Sequence, residues 1–292
     1  MKNLIKNKWS VLTRSEPLVR PSGSLFPSQE GRVGVRFSGA ELSPSSLVLV
    51  PTVELARSAG EGDVDHAATE FMFRANFLVI RYDGVTMVIT HHGGQCFKVS
   101  FGDMTLAFDP ISKKSSLSPV KFGANVAFVS LNHPDFNGID EVAFGAKQPF
   151  VVDGPGEYEI DDVTVRGHGI KTMYDGKERF NTIYQVTLEG MNLLFLGALG
   201  SAEIDSKILG ELGDVDILFL PIGGADVLDV PAASKLATKL EAHVVIPMHY
   251  DAKALGAFLK EEGSENGKPQ EKLTIKKKDV ITMEGEVVVL KA

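Results

Sequence analysis

The chain has 292 residues, 43% of them apolar and 23% charged, with a net charge of −8. That is enough apolar chain to bury a sizeable core in one large or two small domains, which excludes a disordered or fibrous protein. A single cysteine, Cys96, excludes an intrachain disulfide or a multi-cysteine metal site and points to a reducing compartment, the cytoplasm.

Residues 1–70 are rich in Ser, Pro, Gly and Arg, with a helical stripe only around residues 47–59, and read as a poorly ordered extension. Lys2, Lys6 and Lys8 are not followed by the continuous apolar stretch of a secretory leader. Apolar runs such as 47–50 and 287–290 fall far short of the ~20 residues of a spanning helix, so no membrane role is expected. Residues 77–82 and 85–90 are β-rich runs on either side of Asp83-Gly84, a hairpin signature, so the folded domain is expected over 71–292. Composition changes again at Met87, which suggests a native start there and an upstream extension of the reading frame. Up to residue 86 Lys and Arg number 10 against 9 Asp and Glu; beyond it the ratio is 20 to 29. This acidic body lacks the basic stripe that nucleic acid requires.

From Val88 onward short strands are expected at 96–100, 104–108, 125–130, 150–152, 163–166, 182–188 and 191–195. Turns separate them, Glu189-Gly190 being the two-residue loop of a tight hairpin. After Gly200 the pattern changes to helices at 202–212, 230–240 and 252–262. Asp229 and Asp251 occupy N-cap positions, Pro231 suits a first turn and Gly263 a stop. Between these helices, 217–220 and 244–246 are continuous apolar runs, the mark of strands covered on both faces. Residues 273–275 and 286–290 close the chain as edge strands, with Lys276, Lys277 and Lys278 a solvated turn between them. A β-rich first half followed by α/β alternation predicts a layered α/β architecture.

Four strand ends are candidates for chemistry, because loops at strand ends are presented by a rigid scaffold. They are Asp109-Pro110, Asn132-His133-Pro134-Asp135-Phe136-Asn137, Gly197-Ala198-Leu199-Gly200 and Pro247-Met248-His249-Tyr250. The chain carries neither a phosphate loop ending in Gly-Lys-Ser/Thr nor a Gly-x-Ser-x-Gly elbow.

Together with His92-Gly93-Gly94-Gln95-Cys96-Phe97, Gly154-Pro155-Gly156-Glu157-Tyr158 and Asn181-Thr182-Ile183-Tyr184, their order and spacing resemble the metallo-β-lactamase superfamily over residues 87–250. The similarity is to its branch of small zinc-dependent hydrolases and ascorbate-phosphate-lactonase-like proteins. The resemblance implies a four-layer αβ/βα sandwich with a two-metal site at one end of the sheets. It also implies a hydrolase ancestry acting on a lactone, phosphodiester or other ester.

The family hallmark, His-x-His-x-Asp-His, aligns on Leu131-Asn132-His133-Pro134-Asp135-Phe136, so its first and last histidines become Leu131 and Phe136. The bridging aspartate becomes Ala198, the usual Gly-His-Ser becomes Gly93-Gly94-Gln95, and the middle histidine falls between His168 and Asp175, where His168 and Tyr174 both qualify. His133, Asp135 and His249 remain. Two readings follow. One is a metal-free or metal-poor homologue that binds a small molecule or a protein, or acts structurally. In the other, His133, Asp135 and His249 hold one weakly bound zinc, manganese or iron, with Asp135 as ligand or base for the attacking water.

Plainer roles are also open. Asp135 suits an N-cap of a turn or helix after Phe136. His249 suits a hydrogen-bonded strand end, and Asp109 an architectural acceptor for nearby backbone. His91 and His92 read as an exposed, incidental pair, and Cys96 as a small core residue. Gly223-Gly224 is expected to form a loop at the site mouth that shapes a ligand pocket.

Overall fold

The computed structural model describes residues 86–292 except Lys147, together with the backbone of four strands nearer the N-terminus. Contacts divide the chain into two units, Met1–Gly84 and Val85–Ala292. In the first, β1 (Leu25–Pro27) pairs antiparallel with β2 (Val33–Val35), and β3 (Val48–Glu54) with β4 (Arg74–Ile80). Most of the expected 1–70 extension, and the Asp83-Gly84 turn, lie outside the described residues. The stripe at 47–59 contains a strand instead of a helix, in keeping with the β-branched Val48, Val50, Thr52 and Val53. Of the expected 77–82/85–90 hairpin, residues 77–80 pair with 48–51, and the turn lies outside the described residues.

The second unit runs through β5 (Met87–His91), β6 (Phe97–Phe101), β7 (Met104–Phe108), β8 (Val126–Phe128), a 3₁₀ turn (Ile139–Val142) and β9 (Phe150–Val152). It continues with β10 (Gly156–Ile160), β11 (Val163–Tyr174), β12 (Lys177–Leu188), β13 (Met191–Phe195), α1 (Ser206–Glu211), β14 (Ile217–Pro221), α2 (Val230–Leu240) and β15 (Val244–Met248). Last come α3 (Ala252–Glu261), β16 (Leu273–Ile275), α4 (Lys277–Val280) and β17 (Glu286–Val287). Two mixed sheets result, ordered β16-β5-β6-β7-β8-β9 and β10-β11-β12-β13-β14-β15-β17. Both flanks of β5 are occupied, by β6 and β16. The last two expected strands, 273–275 and 286–290, do lie at sheet edges.

The sheets pack face to face, as the α/β sandwich requires. Between them lie Phe97, Phe108, Phe128, Phe195 and Phe219, with ring centroids 4.7–5.8 Å apart. On the outer face of the seven-stranded sheet, Ala233, Leu236 and Ala237 of α2 and Phe258 of α3 cover Leu194, Leu218 and Val245. β14 and β15 are buried at every position, as the continuous apolar runs indicate. The outer face of the other sheet carries Cys96, Ala107 and Ala127 under Ile111, Val120 and Val142.

Local signals position the ends. Asp229 and Asp251 accept from Ala232 N and Ala254 N at 2.9 and 2.7 Å. Gly263 has φ +63°, and Glu189 and Gly190 both have positive φ, as a tight two-residue hairpin demands. α1 is shorter than expected because Asp205, accepting from Lys207 N, caps it at Ser206. The Lys276–278 turn is corrected to the start of α4. There the Lys277 ammonium lies 2.6 and 2.7 Å from the oxygens of Asp216, whose buried carboxylate needs a cation. No helix among the described residues is long and apolar enough to cross a membrane.

Candidate functional site

The candidate strand ends converge. β8 leads into the loop bearing Ser130 to Asn137, β13 into Gly197–Gly200 and β15 into His249, while the β11–β12 hairpin adds Tyr174 and Asp175. Beneath them is a buried polar network. Asp109, fully buried at φ +43°, accepts from Ser130 N at 2.7 Å and from Ser130 Oγ at 2.6 Å. Burial pushes its carboxyl up to about 8, although the two Ser130 donors pull it down. Ser130 O accepts from Thr182 N at 2.7 Å and so ties one sheet to the other. Asn181 donates to Leu196 O at 2.9 Å and accepts from Ala198 N at 2.8 Å, fixing the turn at Gly197. Asp109 is thus the architectural acceptor that its strand-end position suggests.

Above this floor, His133 Nδ1 is 3.4 Å from Asp135 Oδ2 and His133 Nε2 is 3.9 Å from Asp175. Asp135 accepts from Ser115 Oγ and, at 3.2 Å, from the Tyr174 phenol. It therefore does not act as an N-cap: the following 3₁₀ turn is preceded by Gly138 and has no side-chain cap. A cleft of about 340 Å³ opens here, with Ser115, His133, Asp135, Tyr174, Asp175 and Asp226 on its walls. Burial, then the Asp135 charge and the phenol's own hydrogen bond to that carboxylate, push the Tyr174 hydroxyl up, so it stays a proton donor.

Leu131, Phe136, Tyr174, Ala198 and Val227 pack as one apolar cluster beside this pair. The Tyr174 ring stands edge-on to His133 at 5.1 Å and to His249 at 6.0 Å, and Phe136 lies 6.0 and 6.3 Å from the same two rings. Among the described residues no three His, Cys, Asp or Glu side chains come close enough together to hold a metal ion. The structure brings His133 and Asp135 together, and His249 meets them across aromatic rings.

His249, at φ +51°, donates its backbone N–H to Gly94 O at 2.9 Å, and the Gln95 amide donates to its Nδ1 at 3.0 Å. A neutral ring accepting at Nδ1 carries its proton on Nε2. Burial lowers the His249 pKa, against the pull of Asp135 and Asp226. A Cβ at Gly223 would collide with His249 O, so this glycine lets the 223–226 loop pack against the strand end.

Of the two residues open for the middle position, Tyr174 is at the site. His168 lies elsewhere, 3.8 Å from Glu211. The His91–His92 pair is not exposed as expected: His91 is buried against Phe97 at 4.6 Å and His92 stacks on Phe122 at 4.9 Å. Cys96 is a core residue whose thiol burial pushes up. Sequence reasoning missed Ser115 and Asp226. Asp226 follows a glycine pair after an apolar strand, a usable signal, whereas Ser115 sits in a serine-rich loop that offers none. Tyr174→Phe is expected to cost about 1 kcal/mol in urea denaturation, one hydrogen bond to a carboxylate that keeps its Ser115 donor. An unchanged midpoint would show that the phenol does not hold Asp135.

A profile of the β-lactamase superfamily domain matches residues 88–249. A metal-dependent hydrolase of Listeria innocua is 30% identical over 196 residues, which span 56% of this chain and 86% of the relative. The crystal structure of a Zn-dependent hydrolase of the metallo-β-lactamase superfamily from Thermotoga maritima superposes with a TM-score of 0.56 at 28% identity, covering 70% of this chain and 98% of that one. A metallo hydrolase of Ignicoccus hospitalis, 19% identical, shares the fold with a TM-score of 0.51 over 66% and 99% of the two chains.

Proposed function

Because the chain belongs to the metallo-β-lactamase superfamily, in which its relatives are metal-dependent hydrolases, we propose that it is a hydrolase homologue whose metal centre is replaced by packing. In this reading it binds a small molecule or a protein in the cleft beside His133 and Asp135. The observation that carries it is the apolar cluster of Leu131, Phe136, Tyr174, Ala198 and Val227. Three of these, Leu131, Phe136 and Ala198, stand where the family's resemblance calls for two histidines and an aspartate.

The donor set does not fit the family's metals. A catalytic zinc takes three protein ligands and keeps a position for water, whereas His133 and Asp135 form one close pair. His249 is turned to Gln95 through Nδ1. Filling the space with side chains avoids leaving several buried imidazoles and carboxylates unpaired, at about 1–3 kcal/mol each. The remaining polar groups serve recognition: Asp135 is held fixed by Ser115 and Tyr174, His133 is poised between two carboxylates, and Asp226 has no side-chain hydrogen bond among the described residues. The lone cysteine supports the cytoplasm as the compartment, and the acidic body supports a partner other than nucleic acid.

Elemental analysis of the full chain, purified without chelator and after loading with zinc, manganese or iron, tests the proposal. The expected result is well below one ion per chain and a melting temperature unmoved by metal, where a tight ligand at 100 times its dissociation constant would add about 2.7 kcal/mol. The 3.4 Å His133–Asp135 pair is what favours the other reading, a mononuclear hydrolase. About one ion per chain, lost in both His133→Ala and His249→Ala, would establish that reading instead.

A further inference from the structure

Outside this cleft, β11 and β12 carry a second polar group on the face beneath α1. In their register Arg166 is opposite Gln185 and His168 opposite Ile183. Residues directly opposite and two apart share a face, so Arg166, His168, Ile183 and Gln185 all point one way. Ile183 belongs to the core under the helices, which identifies the face. The Gln185 amide donates to Leu212 O at 2.5 Å, bringing the end of α1 and its last residue, Glu211, over the same spot. Glu211 Oε2 lies 3.8 Å from His168 Nδ1. A cleft of about 440 Å³ opens between them, with Glu157, Arg166, Gly167, His168 and Glu211 on its walls.

Two atoms here have no partner. Gln185 Oε1 and His168 Nε2 are both shut off from water and unbonded, half of the four buried side-chain atoms of this kind among the described residues. Gln185 Oε1 is an acceptor by nature. His168 Nε2 accepts in the tautomer whose proton sits on Nδ1, the nitrogen that faces Glu211. Each has lost the hydrogen bond it makes to water in the unfolded chain, a cost that a bound donor would remove. Glu211 adds a third acceptor, and its side chain is 45% exposed and makes no hydrogen bond among the described residues. Arg166 is already matched by Glu157 at 3.4 Å. The charge left over is that of the Glu211 carboxylate, and the unmet demand is for N–H donors.

We infer that this cleft is a binding site for a small ligand bearing a protonated primary amine, which donates to His168 Nε2, Gln185 Oε1 and Glu211. An ammonium group has three donors and no acceptor, matching two acceptors on the cleft wall, His168 and Glu211, and a third on the neighbouring strand, Gln185. Entry requires the Glu211 side chain to swing aside and close over the amine. The site is separate from the His133–Asp135 cleft and does not depend on the function proposed for it.

The test is titration of the full chain with putrescine, with alanine and with acetate, read by calorimetry and by melting temperature. Putrescine or alanine is expected to bind saturably at about 10 mM or below and to raise the melting temperature, while acetate does neither. Glu211→Gln, a same-size change at an exposed position, is expected to weaken binding about tenfold or more, equivalent to 1.4 kcal/mol. Tighter binding of alanine, with that advantage lost in Arg166→Ala, identifies an amino acid as the source of the amine; tighter binding of putrescine identifies a polyamine. The inference is overturned if neither amine binds, as when a single water satisfies both orphan atoms. It is equally overturned if binding survives Glu211→Gln unchanged or if acetate binds as well as the amines.

Discussion

Alanine at Gly197 is expected to destabilise the Val85–Ala292 unit by about 2–5 kcal/mol, more than one methyl group ordinarily does. Gly197 has φ +58°, a left-handed conformation that costs a residue with a Cβ about 1–2 kcal/mol. The added carbon would also run into Asn181 Oδ1, and would sit 2.5 Å from Ser130 Cβ and 2.7 Å from Ser130 Oγ. These neighbours cannot retreat independently. Asn181 is bonded at both ends of its amide to the 196–198 turn, and Ser130 is bonded to Asp109 and Thr182. Crowding of a packed interior adds about 1–3 kcal/mol. Gly190 supplies the control, since it has φ +70° with open space around its would-be Cβ. Gly190→Ala should show the backbone cost alone, about 1–2 kcal/mol. Urea denaturation of the two variants separates the effects, and equal losses would mean that the floor of the cleft yields and is not the rigid network drawn here.

That network explains why some of the molecule is readable from sequence and some is not. α2 and α3 carry their own boundaries, because Asp229, Asp251 and Gly263 act within one turn of themselves. β14 and β15 are likewise visible as apolar runs, since both their faces are covered. The pairing of residues 77–80 is not legible locally, because their partner lies about thirty residues upstream, a pairing that no turn signal reports. Lys277 is solvent-exposed, as its sequence indicates, but its ion pair is not legible locally because the partner, Asp216, is sixty-one residues away. At the site, the family pattern identifies His133, Asp135 and His249, and the apolar residues at 131, 136 and 198 mark the departures from it. The choice between His168 and Tyr174 required structure. β11 is one unbroken strand from Val163 to Tyr174, long enough to place its middle, at His168, and its end, at Tyr174, in different clefts.

The pH dependence of stability should turn on Asp109. Its carboxyl sits near 3.8 when exposed and is pushed up to about 8 in the fold. Burial without a cation is the main cause, and the Ser130 hydrogen bonds offset it in part. Because the folded value is raised, the folded chain holds a proton that the unfolded chain gives up. The associated stability is fully present below about pH 4, declines between about 4 and 8, and is gone above that. The slope for this one group approaches 1.4 kcal/mol per pH unit. Asp109→Asn isolates it. The amide oxygen can still accept from Ser130 N, its NH₂ can donate to Ser130 Oγ, and neither titrates. Chemical denaturation at pH 5 should find the two proteins similar. From there to pH 8 the variant should gain steadily on the wild type, and the difference should level off above pH 8. Stability curves that run parallel over the whole range would mean that Asp109 is already ionised at pH 5, with the Ser130 pair holding its charge. The balance of proton and hydrogen bonds at the base of the cleft would then be the reverse of the one deduced from its burial.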